Sequence, residues 1–303
     1  MLINQITLAV LVTYVSAHGT IVRVNGANNV TMPGLTVADG TPRDCSSNRC
    51  GSQADTAIIR DREIASGKCG PLGRTQGNGP VDAGTMIAAF MGTGTAPTND
   101  GAASSVGVED KVKTGKQRGL GRRLAGLLSG LGGGGGDAGD KALGKSELGP
   151  PEAGVAAAAG QGAASGLPTA NADGTVDMIF RQVNQDGAGP FTADIDGTSG
   201  GTEEAAFQSA EVTKDVPGFG VQGLSLATST EFDMQIKMPA GMTCDGTAGG
   251  VDNVCVARVR NGAAAGPFGG SAAFTQTAAA RKRAIAHRKR EALKKRVQIG
   301  GRV

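Results

Sequence analysis

The stretch Phe232-Asp233-Met234-Gln235-Ile236-Lys237-Met238 decides the fold. Apolar and polar residues alternate along it, the period of a strand with one buried face, and Pro239 stops it. The same period recurs on both sides. Val176, Met178 and Phe180 alternate, as do Phe191, Ala193 and Ile195, and the turn residues Asn184-Gln185-Asp186-Gly187 lie between the two runs. Cys255, Ala257 and Val259 share one face with Arg258 on the other; Thr20 to Val24 alternates near the start, and the residues around Phe274 make a last strand. Pro33-Gly34 and Asp39-Gly40 supply turns. Short alternating strands so punctuated predict an all-β fold, an antiparallel immunoglobulin-like sandwich. One apolar run, Met86 to Met91 (MIAAFM), fits a buried strand or a short helix equally well.

Working outward, residues 1–17 read as a secretory signal peptide. The apolar run Ile6 to Tyr14 is too short to cross a bilayer, and the small residues Ser16 and Ala17 follow at cleavage-type positions. Cleavage there makes His18 the first residue of a mature, extracellular chain. Residues 18–99 form the first half of the sandwich and 171–280 the second, together about 190 residues, ample for one core. Between them, 100–170 reads as a low-complexity disordered insertion: it holds nineteen of the 51 glycines, Gly132 to Gly136 unbroken, Pro150-Pro151 and the Ala156–Ala159 run. Within it LGRRLAGLLSGL, from Leu120, is basic and amphipathic, but its glycines oppose a helix.

Residues 281–303 form a basic tail. The formal net charge is +3, yet ten Lys/Arg and one acid lie from Arg281 onward, leaving 20 basic and 26 acidic residues before it. Arg281 to Arg296 predicts a marginal helix with almost no apolar face, solvated in the plain reading. Contact with anionic surfaces, or processing at Lys282-Arg283, Lys289-Arg290 or Lys295-Arg296, are the alternatives. No other apolar run is long enough to span a membrane.

Five cysteines in an exported chain predict disulfides with one residue left over. Cys45 with Cys50 and Cys244 with Cys255 are the local pairs, and Cys69 is the orphan. Asn29-Val30-Thr31 is a glycosylation sequon at Asn29.

Motifs of catalysis fail on context. Gly139 to Ser146 spells a P-loop, but polyglycine precedes it and Pro150-Pro151 follows, where a strand and a helix are required. Gly197-Thr198-Ser199-Gly200-Gly201 spells a nucleophile elbow without a base, since His18 and His287 are the only histidines. Asp194, Asp196, Glu203 and Glu204, with Asp186 nearby, lack the regular spacing of a calcium loop and read as a solvated acidic loop. His18 is the sharp case. At a new terminus its amine and imidazole can chelate one ion, and copper is the candidate because Cu(II) favours such a tetragonal nitrogen set. A second imidazole is lacking; Asp44 or Asp55 would have to replace it, and Phe274-Thr275-Gln276 could lie axial. The plain alternative is a histidine exposed by processing that holds no metal.

Two blocks carry a resemblance. HGTIVRVNGANNVTMPGLTVADGTPRDCSSNRCGSQADTAIIRDREI with GPLGRTQGNGPVD, and later DVPGFGVQGLSLATSTEFDMQIKMPAGMTCDGTAGGVDNVCVARVRNGAAAGPFGG, resemble the appressorium-specific virulence-factor family of fungal pathogens, the Egh-like or MAS-type proteins. The resemblance implies a secreted fungal protein made during host penetration, with a mature terminal His18. It also implies a late cysteine where this chain has Ser271, which would leave Cys69 without a partner. The terminus and strand pattern look like those of copper polysaccharide monooxygenases as well, with an incomplete histidine brace. Taken together, these readings predict a non-catalytic protein acting at a host surface or on cell-wall polysaccharide, with a copper monooxygenase-like enzyme as the alternative. Nucleic acid is not an expected partner.

Overall fold

A computed structural model of the chain describes residues 18–46, 50–99, 145–146, 149–220, 223–263 and 266–300. Residues 1–17, expected to be a signal peptide, the patch from Leu120 and the polyglycine run lie outside the described residues. The strands are β1 (Gly19–Asn25), β2 (Thr31–Pro33), β3 (Ala57–Ile58), β4 (Arg74–Thr75), β5 (Gly79–Pro80), β6 (Lys145–Ser146), β7 (Thr175–Gln182), β8 (Phe191–Asp196), β9 (Phe207–Lys214), β10 (Thr230–Lys237), β11 (Gly246–Ala248), β12 (Val251–Asn261) and β13 (Phe268–Phe274). Helices are α1 (Asp61–Ala65), α2 (Ala83–Phe90), α3 (Gly154–Ala158), α4 (Gly162–Ser165) and α5 (Ala278–Gly300).

The fold is all-β and antiparallel, as the alternation predicts. The strand order is β2-β1-β7-β10-β9-β8-β12-β13-β3-β4-β5, with β11 on β12 and β6 on β10. One sheet curls through β9, whose pairing with β10 carries a register shift between Gln235 and Ile236, the kind of irregularity that adds twist. Curling brings the far limbs face to face. A Cβ at Gly270 on β13 would lie 2.5 Å from the Ile21 nitrogen of β1, and the Leu35 N–H donates to the Ser271 carbonyl at 2.9 Å. Phe180 on β7 meets Phe191 on β8 edge-on across the core at 4.7 Å, so the 184–187 turn crosses from one limb to the other. The decisive strand β10 buries Phe232, Met234 and Ile236.

The run Met86–Met91 resolves as helix. The Asp82 carboxylate accepts from the Gly84 and Thr85 amides, which satisfies the orphan donors of the first turn, and Met86, Ile87 and Phe90 point into the core.

Most of the expected disordered segment 100–170 lies outside the described residues, but its last part is ordered. Residues 149–170 pack on the body: Val155, Ala158, Leu167 and Ala170 are buried in the main core. Asp39 caps α3 from a distant loop, accepting from the Val155 and Ala156 amides at 2.9 and 2.7 Å. The loop at Gly40–Thr41 exchanges backbone hydrogen bonds with Glu152.

Each disulfide joins sequence neighbours, Cys45–Cys50 and Cys244–Cys255, and Cys69 is a buried free thiol. Cys244 and Cys255 are both fully buried and close the β11–β12 hairpin. Replacing both by alanine is expected to lower stability by about 2–3 kcal/mol, the entropy of a short closed loop. Urea unfolding followed by circular dichroism measures it, and an unchanged midpoint contradicts it.

The tail is α5, a helix of 23 residues. It is not simply solvated. Arg281 pairs with Asp245, the Arg283 guanidinium donates to the Ala172 carbonyl at 2.8 Å, and that of Arg288 donates to the Thr243 hydroxyl at 3.2 Å. These contacts hold its first half to the β-body.

Candidate functional site

His18 lies immediately before β1 and is wholly buried. Its ring packs on Phe268 at a tilt of 39° with centroids 4.3 Å apart, and its Nε2 lies 3.5 Å from the Gln76 amide nitrogen. Its backbone nitrogen donates to the Asn184 side-chain oxygen at 2.6 Å, and its carbonyl accepts from the Val183 N–H at 2.9 Å. A Cβ at Gly187 would sit 2.2 Å from that carbonyl, so the turn must have glycine there. The sequence stretch 183–187, read as a plain connection, is in fact the clasp of His18.

Residues 215–220 and 223–229 cover the clasp. The Gln182 amide donates to the Asn184 carbonyl, the Ser225 hydroxyl and the Ala227 carbonyl, at 3.0, 2.7 and 2.8 Å. The Ser225 N–H donates to the Gln185 carbonyl and that of Ala188 to the Gly223 carbonyl. Val216 anchors the loop in the core, whereas Phe219 and Leu226 are 65% and 76% exposed. Phe219 is the exposed one of the eight phenylalanines; the others are buried or half-buried. Under this loop Asp186 is buried, with Oδ1 lacking a hydrogen-bond partner among the described residues. Burial pushes its carboxyl up to about 7, against the pull of its own backbone N–H.

The fit of a metal to His18 follows from these neighbours. Among the described residues no three His, Cys, Asp or Glu side chains stand grouped to hold an ion. Asp55 is taken by Arg43 at 2.6 Å and Asp44 is exposed, so neither replaces the missing imidazole. Gln276 does not stand over His18 either; its side chain accepts from the Cys244 amide at 3.0 Å. A terminus at His18 would offer an amine and an imidazole beside two neutral amides, a two-nitrogen set and not a three-nitrogen brace.

The other candidates resolve into structure. Ser199 of the elbow donates to Asp196 and accepts from the Thr202 and Glu203 amides, a turn lock with no base. The acidic loop is not solvated as a whole. Asp194 and Glu204 both pair with Arg258, which also lies 4.4 Å from the Phe207 ring centroid. Asp196 accepts backbone N–H bonds from Thr198, Ser199 and Gly201; burial opposes its charge, but these donors hold its pKa below the usual range. Sequence reading missed Arg258 as the partner because it lies on another strand. Residues 139–144 of the P-loop spelling lie outside the described residues, and Lys145–Ser146 form β6 on β10. Burial and the nearby Glu63 carboxylate push the Cys69 thiol up, which keeps it protonated. Asn29 stands exposed in the β1–β2 turn at φ 59°, accessible as a sequon requires.

Comparison with known proteins adds four findings. Residues 16–269 match the model of a family described as Egh16-like virulence factor. The chain is 54% identical over 274 residues to the appressoria-specific virulence factor GAS2 of Pyricularia oryzae, covering 90% of this chain and 88% of that one. It is 38% identical over 126 residues to the appressoria-specific virulence factor GAS1 of the same organism, covering 40% and 49%. No solved structure matches.

Proposed function

The chain belongs to the Egh16-like virulence factor family, and from that premise we propose that it is a secreted, virulence-associated protein that works by surface contact at the host or cell-wall interface. Two disulfides suit an oxidising compartment. Among the described residues no helix is long and apolar enough to cross a membrane. The carrying observation is the loop over His18. It holds an exposed aromatic ring and an exposed leucine on a backbone tied by hydrogen bonds to a buried floor. An apolar tip on a hydrogen-bonded backbone binds with less ordering cost, which is what an aromatic contact to a sugar face or a protein needs.

Saturable retention on isolated fungal or plant cell wall and on chitin tests the reading. The variant Phe219→Ser/Leu226→Ser is expected to bind roughly tenfold more weakly, since central aromatic anchors carry most of a contact's energy. Undiminished retention by that variant sinks it. The mass of the protein recovered from culture should place the terminus at His18.

A second reading, Cu(II) at the processed His18, is favoured by the fixed position of its nitrogen and ring. The chelate would use the new amine and the imidazole, with Asn184 and Gln76 around them. Copper titration followed by EPR is expected to show nitrogen coupling that His18→Ala removes; an identical spectrum from the variant rejects it.

A further inference from the structure

We propose that the outward face of α5 is a docking surface for an anionic lipid bilayer. Four large apolar side chains are exposed among the described residues, and two of them, Leu293 at 60% and Val297 at 75%, lie one turn apart on this helix. The body-facing side is marked by its contacts. Arg281, Arg283 and Arg288 bond to the body, while Ala280, Ala284 and His287 line a cavity of 260 Å³ between helix and β-body. At 3.6 residues per turn, Lys282, Lys289 and Arg296 fall seven apart on the opposite side, beside Ala286, Leu293 and Val297. All six are exposed. The helix therefore presents a narrow apolar seam edged by a row of cations, held at its first half by a folded domain.

That arrangement selects among acidic partners. A nucleic acid or a uronic-acid polymer is satisfied by the cations and gains nothing from Leu293 and Val297. A bilayer uses both: anionic headgroups attract the Lys and Arg row, and the interface accepts the apolar seam beneath it. The low apolar content makes the contact peripheral and reversible, with no insertion. Glu291, the one acid of the helix, lies away from the seam and pairs with Lys294 at 2.8 Å. The family match ends at residue 269, before α5, so this surface is distinct from the loop over His18 and does not rest on it.

Co-sedimentation of the full chain with phosphatidylcholine vesicles, with and without phosphatidylserine, tests this. Binding is expected only with the anionic lipid and should fall steeply as salt is raised. Leu293→Ser/Val297→Ser should weaken it roughly tenfold or more, because two apolar side chains no longer leave water. Lys289→Ser/Arg296→Ser should flatten the salt dependence. Both pairs are solvent-exposed, so circular dichroism should show the body unfolding as before. Absence of binding to anionic vesicles at low salt overturns the proposal. So does full vesicle binding by the Leu293→Ser/Val297→Ser variant, or tighter binding of the intact chain to duplex DNA or polygalacturonate than to vesicles.

Discussion

Asp55→Ala is expected to lose about 3–5 kcal/mol of stability, the cost of stranding a buried cation. Asp55 is fully enclosed and takes the Arg43 guanidinium with both oxygens, at 3.2 and 2.6 Å. Burial works against the Arg43 charge, but Asp55 first and Glu152 second raise its pKa above the ordinary value. Arg43 is only 6% exposed, so without Asp55 it has neither water nor a full set of acceptors. Glu152→Ala should cost less, about 1.5–3 kcal/mol, because the bidentate Asp55 pair survives. Urea midpoints at constant slope, read by circular dichroism, rank the two. The mature chain would contain neither Trp nor Tyr, so fluorescence does not serve. A smaller loss for Asp55→Ala than for Glu152→Ala contradicts the account. The double variant Arg43→Met/Asp55→Leu should recover much of the loss, since it removes the charge along with its partner.

This ion network explains where the sequence was legible and where it was not. Strands β7, β8, β10 and β12 announce themselves because burial on one face imposes a period of two on consecutive residues, as in Phe232 to Met238. Strand β9 escapes, because Phe207 to Lys214 turns the sheet and stays largely exposed, so no apolar stripe marks it. Residues 149–170 mislead for another reason. Their alanines and glycines have the composition of a linker, and what orders them is distant: Asp39 caps α3, and Arg43 reaches Glu152 across 109 positions. No local pattern encodes a partner so far away. The clasp of His18 shares this character. Gly187 reads as a turn residue, and only the 2.2 Å approach of its missing Cβ to the His18 carbonyl shows why nothing larger stands there.

Asp186→Asn is expected to stabilise the protein at neutral pH and to remove most of the pH slope between about 4 and 7. Burial pushes the folded carboxyl up to about 7 from its ordinary 3.8. The sign follows from proton counts. Between those values the folded state keeps a proton that the unfolded state has released, so stability falls as pH rises, by up to ~4 kcal/mol across the window. Above 7 both states are ionised and the loss is complete. Glu63 acts in the opposite sense: burial raises its pKa, but Arg74, Lys68 and Arg60 hold it near 2, so its contribution is present above pH 4.5 and is lost on acidification. Wild-type stability should therefore peak at mildly acidic pH, and calorimetry from pH 4 to 8 should find the slope reduced in Asp186→Asn. Equal slopes in both proteins refute the assignment. The consequence reaches the contact loop. The Asp186 carbonyl accepts from Asn261, and the adjacent Gln185 carbonyl holds the Ser225 amide under Phe219 and Leu226. Ionising Asp186 without a partner strains that floor, so hydrogen exchange at Ser225, corrected for its intrinsic pH dependence, should quicken above pH 7 in the wild type and stay slow in the variant.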